Sequence, residues 1–240
     1  KEKKDHEIEK LNSEIDNFKK MIEESNNLYE SMLDKTTKSL EQIIEKAESK
    51  SQIQWMLNKE KLRDKYFNLR KRRYFEIKSN FFKPLISILD KLFKKKSIFL
   101  SFYYPSNYEV NTIKLFDLIK KRRKIKSLLP IINSKDRIQF IKWTFLDTLK
   151  VNKYGMLEPI LKKKFIIPDV ILVPLLVFDN NKYRIGYGKG YYDKFLNKYL
   201  RLNKDILTIG VAFSFQKYNK LPISKFDVKL DYILTEKGIR

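Results

Sequence analysis

The stretch Val170-Ile-Leu-Val-Pro-Leu-Leu-Val-Phe-Asp179, with Arg184-Ile-Gly-Tyr-Gly-Lys-Gly-Tyr-Tyr-Asp193 after a gap of four residues, decides the fold class. Val170 to Val173 is an unbroken apolar run closed by Pro174, with the length and β-branched content of a strand buried on both faces. Glycines then alternate at 186, 188 and 190, and Tyr191 to Tyr199 reads as a helix. Strand, glycine loop and helix in that order form one unit of an α/β sheet. Working outward, the pattern predicts helices near Phe82 to Phe93 and Val110 to Lys121. It predicts strands at Ser97 to Tyr103, Ile125 to Pro130, Ile138 to Phe145, Ile206 to Phe213 and Tyr232 to Thr235. Short apolar runs alternating with amphipathic helices give a sheet covered on both faces.

Composition removes several chemistries. The chain has 240 residues and no cysteine, and His6 is its only histidine. Thiolate nucleophiles, disulfides, cysteine-zinc sites and histidine triads are therefore excluded. The length suffices for one well-buried domain and an appendage. No run of about eighteen uncharged apolar residues occurs, so no membrane span is expected. The formal charge is +23, yet the first 58 residues carry 10 Lys against 13 Asp or Glu, so the basic excess lies wholly beyond them. Lys supplies most of it and is scattered through every predicted element, which reads as compositional bias more than as a nucleic-acid stripe, while still favouring an anionic substrate.

The chain divides into residues 1–50, a charged helical extension, and residues 51–240, a globular domain. The extension lacks Gly and Pro, and Ile8, Leu11, Ile15, Phe18 and Ile22 alternate spacings of three and four, as on a coiled-coil seam. The register falters at Ser25, passes Tyr29 and Met32, and resumes on a shifted stripe at Leu40, Ile44 and Ala47, as a stutter produces. Self-association through residues 1–50 and a solvated helical extension are both compatible with this short seam. Trp55 to Arg73 is expected as a separate basic helix, with Leu62, Tyr66 and Leu69 on one face and Lys61, Arg63, Lys65, Arg70, Lys71, Arg72 and Arg73 on the solvated others. The cytoplasm is the expected compartment, and because the sequence begins with Lys1 rather than Met and reads as a fragment of a longer precursor, a mitochondrion or plastid is left open.

The glycine segment carries the chemistry. Alternating glycines let several backbone N–H groups face one concavity, and the helix that follows adds its positive end; together these suit a phosphate chain. Arg184 and Lys189 supply mobile positive charge beside it. No Ser or Thr follows Lys189, so this is not a Walker A loop, and the third Gly comes one residue early for a dinucleotide fingerprint. Asp193 can cap its helix or, with Asp227, hold Mg²⁺, which is satisfied by one or two carboxylates plus phosphate oxygens.

These residues carry a family resemblance. Val173 to Asp179 followed by Arg184 to Asp193 is similar to the signature of the 5-formyltetrahydrofolate cyclo-ligases, also called methenyltetrahydrofolate synthetases. Lys59-Glu-Lys-Leu-Arg63, Ile98-Phe-Leu-Ser101, Glu109-Val-Asn-Thr112, Leu157-Glu-Pro159, Val211-Ala-Phe-Ser-Phe-Gln216, Leu221-Pro222 and Phe226-Asp227 match further family segments in order. The resemblance implies a three-layer α/β/α sandwich of the NagB, RpiA and CoA-transferase type. It implies conversion of 5-formyltetrahydrofolate and ATP to 5,10-methenyltetrahydrofolate, ADP and phosphate, through phosphorylation of the formyl oxygen and attack by N10. Lys59 and Arg63 resemble cations that reach ATP, and Arg184, Ile185, Gly186, Tyr187, Gly188, Lys189, Gly190, Tyr191 and Tyr192 resemble the nucleotide loop. Lys189, Arg184 and Tyr191 take the catalytic roles. Leu100, Glu109 and the span from Tyr187 to Tyr191 resemble folate contacts, and Asp193 and Asp227 resemble the Mg²⁺ ligands. Phe226 and Tyr154 depart from the His or polar residue and the Trp of many members, and the loop from Phe178 to Lys182 lacks a Gly often found there. An inactive homologue serving as a helix-mediated scaffold and a basic nucleic-acid-binding protein are the rival readings; the second leaves the glycine motif without a use and lacks an aromatic-basic stripe.

Overall fold

The computed structural model describes the backbone of every residue except 1, 95, 121, 134, 136, 161–163, 201 and 203–205, and the side chains of all but these, 2–11 and 49. The expectations for Ile8 and Leu11 as seam residues therefore lie outside the described side chains. The chain forms two compact units, Lys1–Met56 and Leu57–Arg240.

One helix, α1 (Glu2–Arg73), covers both the expected extension and the expected second helix. A boundary near Ser51 does not appear in the secondary structure, because no Gly or Pro occurs anywhere in the 72 residues to end the ladder. In the first unit Ile15, Phe18, Ile22, Leu40 and Ile44 are all exposed. Exposed pairs such as Lys38 with Asp34, at 2.7 Å, span successive turns of the helix and contribute a few tenths of a kcal/mol each. Four cations, Arg70 to Arg73, occupy its last turn, where the carbonyl end of the helix favours positive charge.

In the second unit α2 (Lys83–Phe93) leads into β1 (Ile98–Ser101), and a 3-10 turn at Thr112–Leu115 runs into the one-turn helix α3 (Phe116–Ile119). The expected helix from Val110 to Lys121 is thus shorter and tighter than its periodicity suggests. β2 (Ile125–Ile132) and β3 (Ile138–Lys142) follow, then the hairpin β4 (Leu149–Val151) and β5 (Leu157–Pro159). β6 (Val170–Pro174) precedes a second small hairpin, β7 (Val177–Phe178) and β8 (Arg184–Ile185). The chain ends with α4 (Tyr191–Tyr199), β9 (Leu207–Val211), β10 (Tyr232–Thr235) and β11 (Gly238–Ile239).

Among the described residues seven strands make the central sheet in the order β11-β10-β9-β6-β1-β2-β3. The five inner strands are parallel, and β3 and β11 are antiparallel edges. Alternation along β6 fills both faces: Val170 and Leu172 join the core under α2 and α3, whereas Ile171 and Val173 join the core under α4. This explains why the sequence of β6 is apolar without a break. A third cluster packs Leu62, Tyr66 and Leu69 of α1 on Leu176, Val177, Ile185 and Leu221. Among the described residues no helix is long and apolar enough to cross a membrane.

Candidate active site

β1 pairs with β2 on one side and β6 on the other, so the direction of winding reverses between β1 and β6. Open α/β sheets leave a crevice at such a point, outside the carboxyl ends of the strands. The segments that follow β1 and β6 reach it: Tyr103 to Glu109 from the first, Leu175 and the hairpin into the glycine loop from the second.

The glycine loop joins β8 to α4. Gly188 and Gly190 have φ of +94° and +66°, and Gly190 is the N-cap of α4. These are conformations glycine adopts without steric cost. A Cβ on Gly188 would lie 3.3 Å from the guanidinium carbon of Arg63, so the loop needs a glycine here for space as well. Gly186 faces open space on that side, and its carbonyl accepts a 3.0 Å bond from Arg63 Nε. Arg63 also pairs with Glu60 on its own helix. Lys189, in the loop, is exposed, with no partner for its ammonium among the described residues.

Two ion pairs close this end of the crevice. Lys59 Nζ donates to both oxygens of Asp227, at 2.8 and 2.6 Å. Burial pushes its pKa below the usual lysine value, against the opposing pull of Asp227. Arg184 Nη2 donates to Asp193 Oδ1 at 2.9 Å, and its Nη1 to the carbonyl of Val228 at 2.9 Å. The Val228 amide in turn donates to Asp193 Oδ1 at 3.2 Å, which brings the two aspartates onto adjoining backbone. Asp193 therefore does not cap α4 through Oδ1. Its Oδ2 has no partner among the described residues. No cluster of three or more His, Cys, Asp or Glu occurs among them either. Asp193 Oδ2 is thus the open carboxylate oxygen beside the glycine loop, whereas both oxygens of Asp227 are held by Lys59; Mg²⁺ on this pair would need Lys59 to release Asp227 and would complete its shell with waters and phosphate oxygens.

Behind the loop lies a buried polar cluster. Glu109 is only 6% exposed and accepts from the Ser106 amide at 3.0 Å. Burial raises its pKa above the usual carboxylate value; the Arg70 charge, the Ser106 amide and the Tyr187 hydroxyl oppose that rise. Tyr187 leaves part of its ring open to solvent while its hydroxyl turns inward onto Arg70. Burial followed by the charge of Glu109 raises the Tyr187 hydroxyl above its ordinary value, and the same two causes raise Tyr192. The Tyr192 hydroxyl is buried without a partner among the described residues. Tyr154, at the tip of the β4–β5 hairpin, bonds hydroxyl to hydroxyl with Tyr191, their ring centroids 6.0 Å apart.

Most residues singled out in the sequence thus converge: Lys59, Arg63, Glu109, the span from Arg184 to Asp193, and Asp227. Two need correction. Arg184 is not a mobile charge, because its side chain is 3% exposed and fixed by Asp193 and Val228. Leu100 offers no side-chain surface to a ligand, being 0% exposed in the core beneath α2 and α3. Arg70, expected on the solvated basic surface of its helix, is instead 1% exposed and reaches the crevice. It lies seven residues after Arg63 and eleven after Lys59, close to two and three helical turns, and that spacing was the available signal. Phe226, beside Asp227, is 67% exposed.

Comparison with known proteins gives one consistent result. The model of the 5-formyltetrahydrofolate cyclo-ligase family matches residues 46–236. The 5-formyltetrahydrofolate cyclo-ligase of Mycoplasma genitalium is 35% identical over 135 residues, covering 50% of this chain and 79% of that protein. That of Haemophilus influenzae is 28% identical over 141 residues, covering 56% and 74%. Among solved structures, the 5,10-methenyltetrahydrofolate synthetase of Aquifex aeolicus is similar with a TM-score of 0.58 at 32% identity, over 76% of this chain and 91% of that one. The corresponding synthetase of Mycoplasma pneumoniae gives 0.56 at 27%, over 75% and 99%.

Proposed function

The chain belongs to the 5-formyltetrahydrofolate cyclo-ligase family and is an enzyme of that class, and from this premise we propose that it converts 5-formyltetrahydrofolate and ATP to 5,10-methenyltetrahydrofolate, ADP and phosphate. The observation that supports this reading best is convergence. Residues up to 168 positions apart, such as Lys59 and Asp227, bond to one another around a single glycine loop.

In this reaction the formyl oxygen bonds to the γ-phosphorus as the bond to the β-bridging oxygen breaks. N10 then attacks the former formyl carbon and loses its proton, and phosphate departs with the carbon–oxygen bond. No electrons change hands, and no protein nucleophile is required, in keeping with a chain free of cysteine. The task is alignment and charge neutralisation. Loop amides and the start of α4 hold the phosphates, Lys59 and Arg63 reach them from α1, and Lys189 faces the transferred phosphoryl group. Arg184 acts by fixing Asp193. Asp193 and Asp227 would hold Mg²⁺, which neutralises phosphate oxygens when bound. Glu109, Tyr187 and Tyr191 face the folate, with Glu109 as acceptor for pterin N–H donors. The mostly parallel sheet with helices on both faces supports assignment to the NagB, RpiA and CoA-transferase type.

Lys189→Ala tests the assignment cleanly, because Lys189 is exposed and holds no partner among the described residues. We expect a loss of turnover of about a hundredfold or more, with stability within about 0.5 kcal/mol of the parent. Unchanged turnover in both Lys189→Ala and Asp193→Ala, measured as methenyl product, contradicts these residue roles; no methenyl product from the parent chain, with oligomers lost on deleting residues 1–50, would favour an inactive scaffold. The exposed apolar stripe of the first unit supports self-association through residues 1–50. Sedimentation should then give a larger species for the full chain than for residues 51–240, and two monomers would count against it.

A further inference from the structure

Arg70 is the buried cation that the proposed reaction leaves without a part. Its guanidinium lies at the crevice between β1 and β6 and ties three segments together. Nη1 donates to the carbonyl of Leu175, just past β6, at 3.0 Å. Nη2 donates to the carbonyl of Asn107, in the segment after β1, at 2.7 Å, and to the Tyr187 hydroxyl in the glycine loop. The guanidinium carbon also stands 5.5 Å from the centroid of the Tyr187 ring. Its Nε is buried with no partner among the described residues, so the group is not placed to satisfy itself.

The geometry around Glu109 says what this clamp is for. Asn107 and Tyr108, immediately before it, have φ of +46° and +63°, a left-handed pair without glycine that must be held from outside. Arg70 holds the first of them through its carbonyl, while the Glu109 amide donates to the carbonyl of Ser106 at 2.9 Å. The groups that face the Glu109 carboxylate are Arg70 from α1, Tyr187 from the glycine loop, Tyr192 from α4 and Tyr103 from the segment after β1. Arg70 is the only cation among these four. The Tyr187 hydroxyl accepts from Arg70 and stands beside the Glu109 carboxylate, so it relays the position of one to the other. A buried carboxylate stays ionised only beside such a charge.

Resting on the cyclo-ligase reading, we propose that Arg70 is a positioning residue for the folate: through Asn107 and Tyr187 it fixes Glu109 in place as the acceptor for the reduced pterin. A merely structural arginine would lower the amount of folded enzyme and leave the kinetic constants of the remainder alone. A positioning arginine splits them instead.

The test compares the full chain with Arg70→Met, Arg70→Lys and Tyr187→Phe, following methenyl product across pH and measuring 5-formyltetrahydrofolate binding by calorimetry without ATP. Arg70→Met should weaken folate binding and raise the folate KM at least about tenfold, with the KM for ATP within about twofold. The acid limb of its kcat/KM for folate should move up by about one pH unit, because Glu109 then protonates earlier on acidification. Arg70→Lys, which keeps the charge and loses the fork, should keep the acid limb and still bind folate weakly. Folate binding and an acid limb equal to the parent's in Arg70→Met overturn the proposal. If that variant does not fold, Tyr187→Phe decides: the relay predicts weaker folate binding and an upward-shifted acid limb, and parental behaviour in both refutes it. Failure of the parent chain itself to form methenyl product would instead refute the cyclo-ligase reading.

Discussion

Gly188 shows how one residue carries both a conformation and a clearance. Alanine there must adopt φ +94° and press on Arg63, so strain of about 1–2 kcal/mol falls on the loop proposed to hold the phosphates. We expect Gly188→Ala to raise the KM for ATP severalfold while the fold persists, and an unchanged KM would show that the loop tolerates displacement. Glu109 makes a prediction through pH. Burial holds its folded pKa above the usual carboxylate value, so on acidification the folded state takes up this proton before the unfolded chain does. That contribution to stability is fully present below the unfolded value and is lost as pH rises through the folded one. Glu109→Gln carries no such group and should gain on the parent in melting temperature as pH rises above the ordinary carboxylate value. A difference independent of pH would contradict the burial of the charge. At this scale the loop glycines and the two aspartates were legible, because spacing and residue type announce a phosphate site. The state of Arg184 and Arg70 was not, since a helix or loop cation reads as solvated until its neighbours are known.

Among the elements, β9 holds the glycine with the least room around it. A Cβ on Gly210 would meet Ile233, Leu230 and Leu175 side chains at 2.7, 2.8 and 2.9 Å, so Gly210→Ala overpacks the core under the crevice. We expect it to cost about 1–3 kcal/mol in chemical denaturation. No loss would mean that β9 can shift to make room. The long helix, the five parallel strands and α4 could be read from periodicity, and Tyr191–Tyr199 and Tyr232–Thr235 match their predicted limits. The hairpins β4–β5 and β7–β8 could not, because strands of two or three residues show no period. The second of these turns on Lys182 at φ +67°, where the sequence lacks the expected glycine. There the Asp179 carboxylate accepts from the amides of Asn181 and Tyr183 at 2.9 and 3.0 Å and holds the turn without one. The break expected near Ser51 failed for the opposite reason: a change in charge pattern does not end a helix when every residue can continue it.

For the whole molecule, the basic excess and the proposed site belong to the second unit. Lys59, Arg63 and Arg70 all lie beyond Met56, within Leu57–Arg240, and the family match reaches only a few turns further back, to residue 46. A chain of residues 51–240 should therefore keep turnover within about threefold of the full chain, since sites without shared partners act nearly independently. A collapse of activity would assign the extension a part in the reaction. The account as a whole stands on one claim, that a cradle of loop amides and α1 cations presents a triphosphate to a formyl oxygen. Its most direct test is the full chain with 5-formyltetrahydrofolate, ATP and Mg²⁺, followed at the absorbance of the methenyl product and by ADP release. The account predicts one methenyl product for each ADP; ADP without methenyl product, or neither, contradicts it.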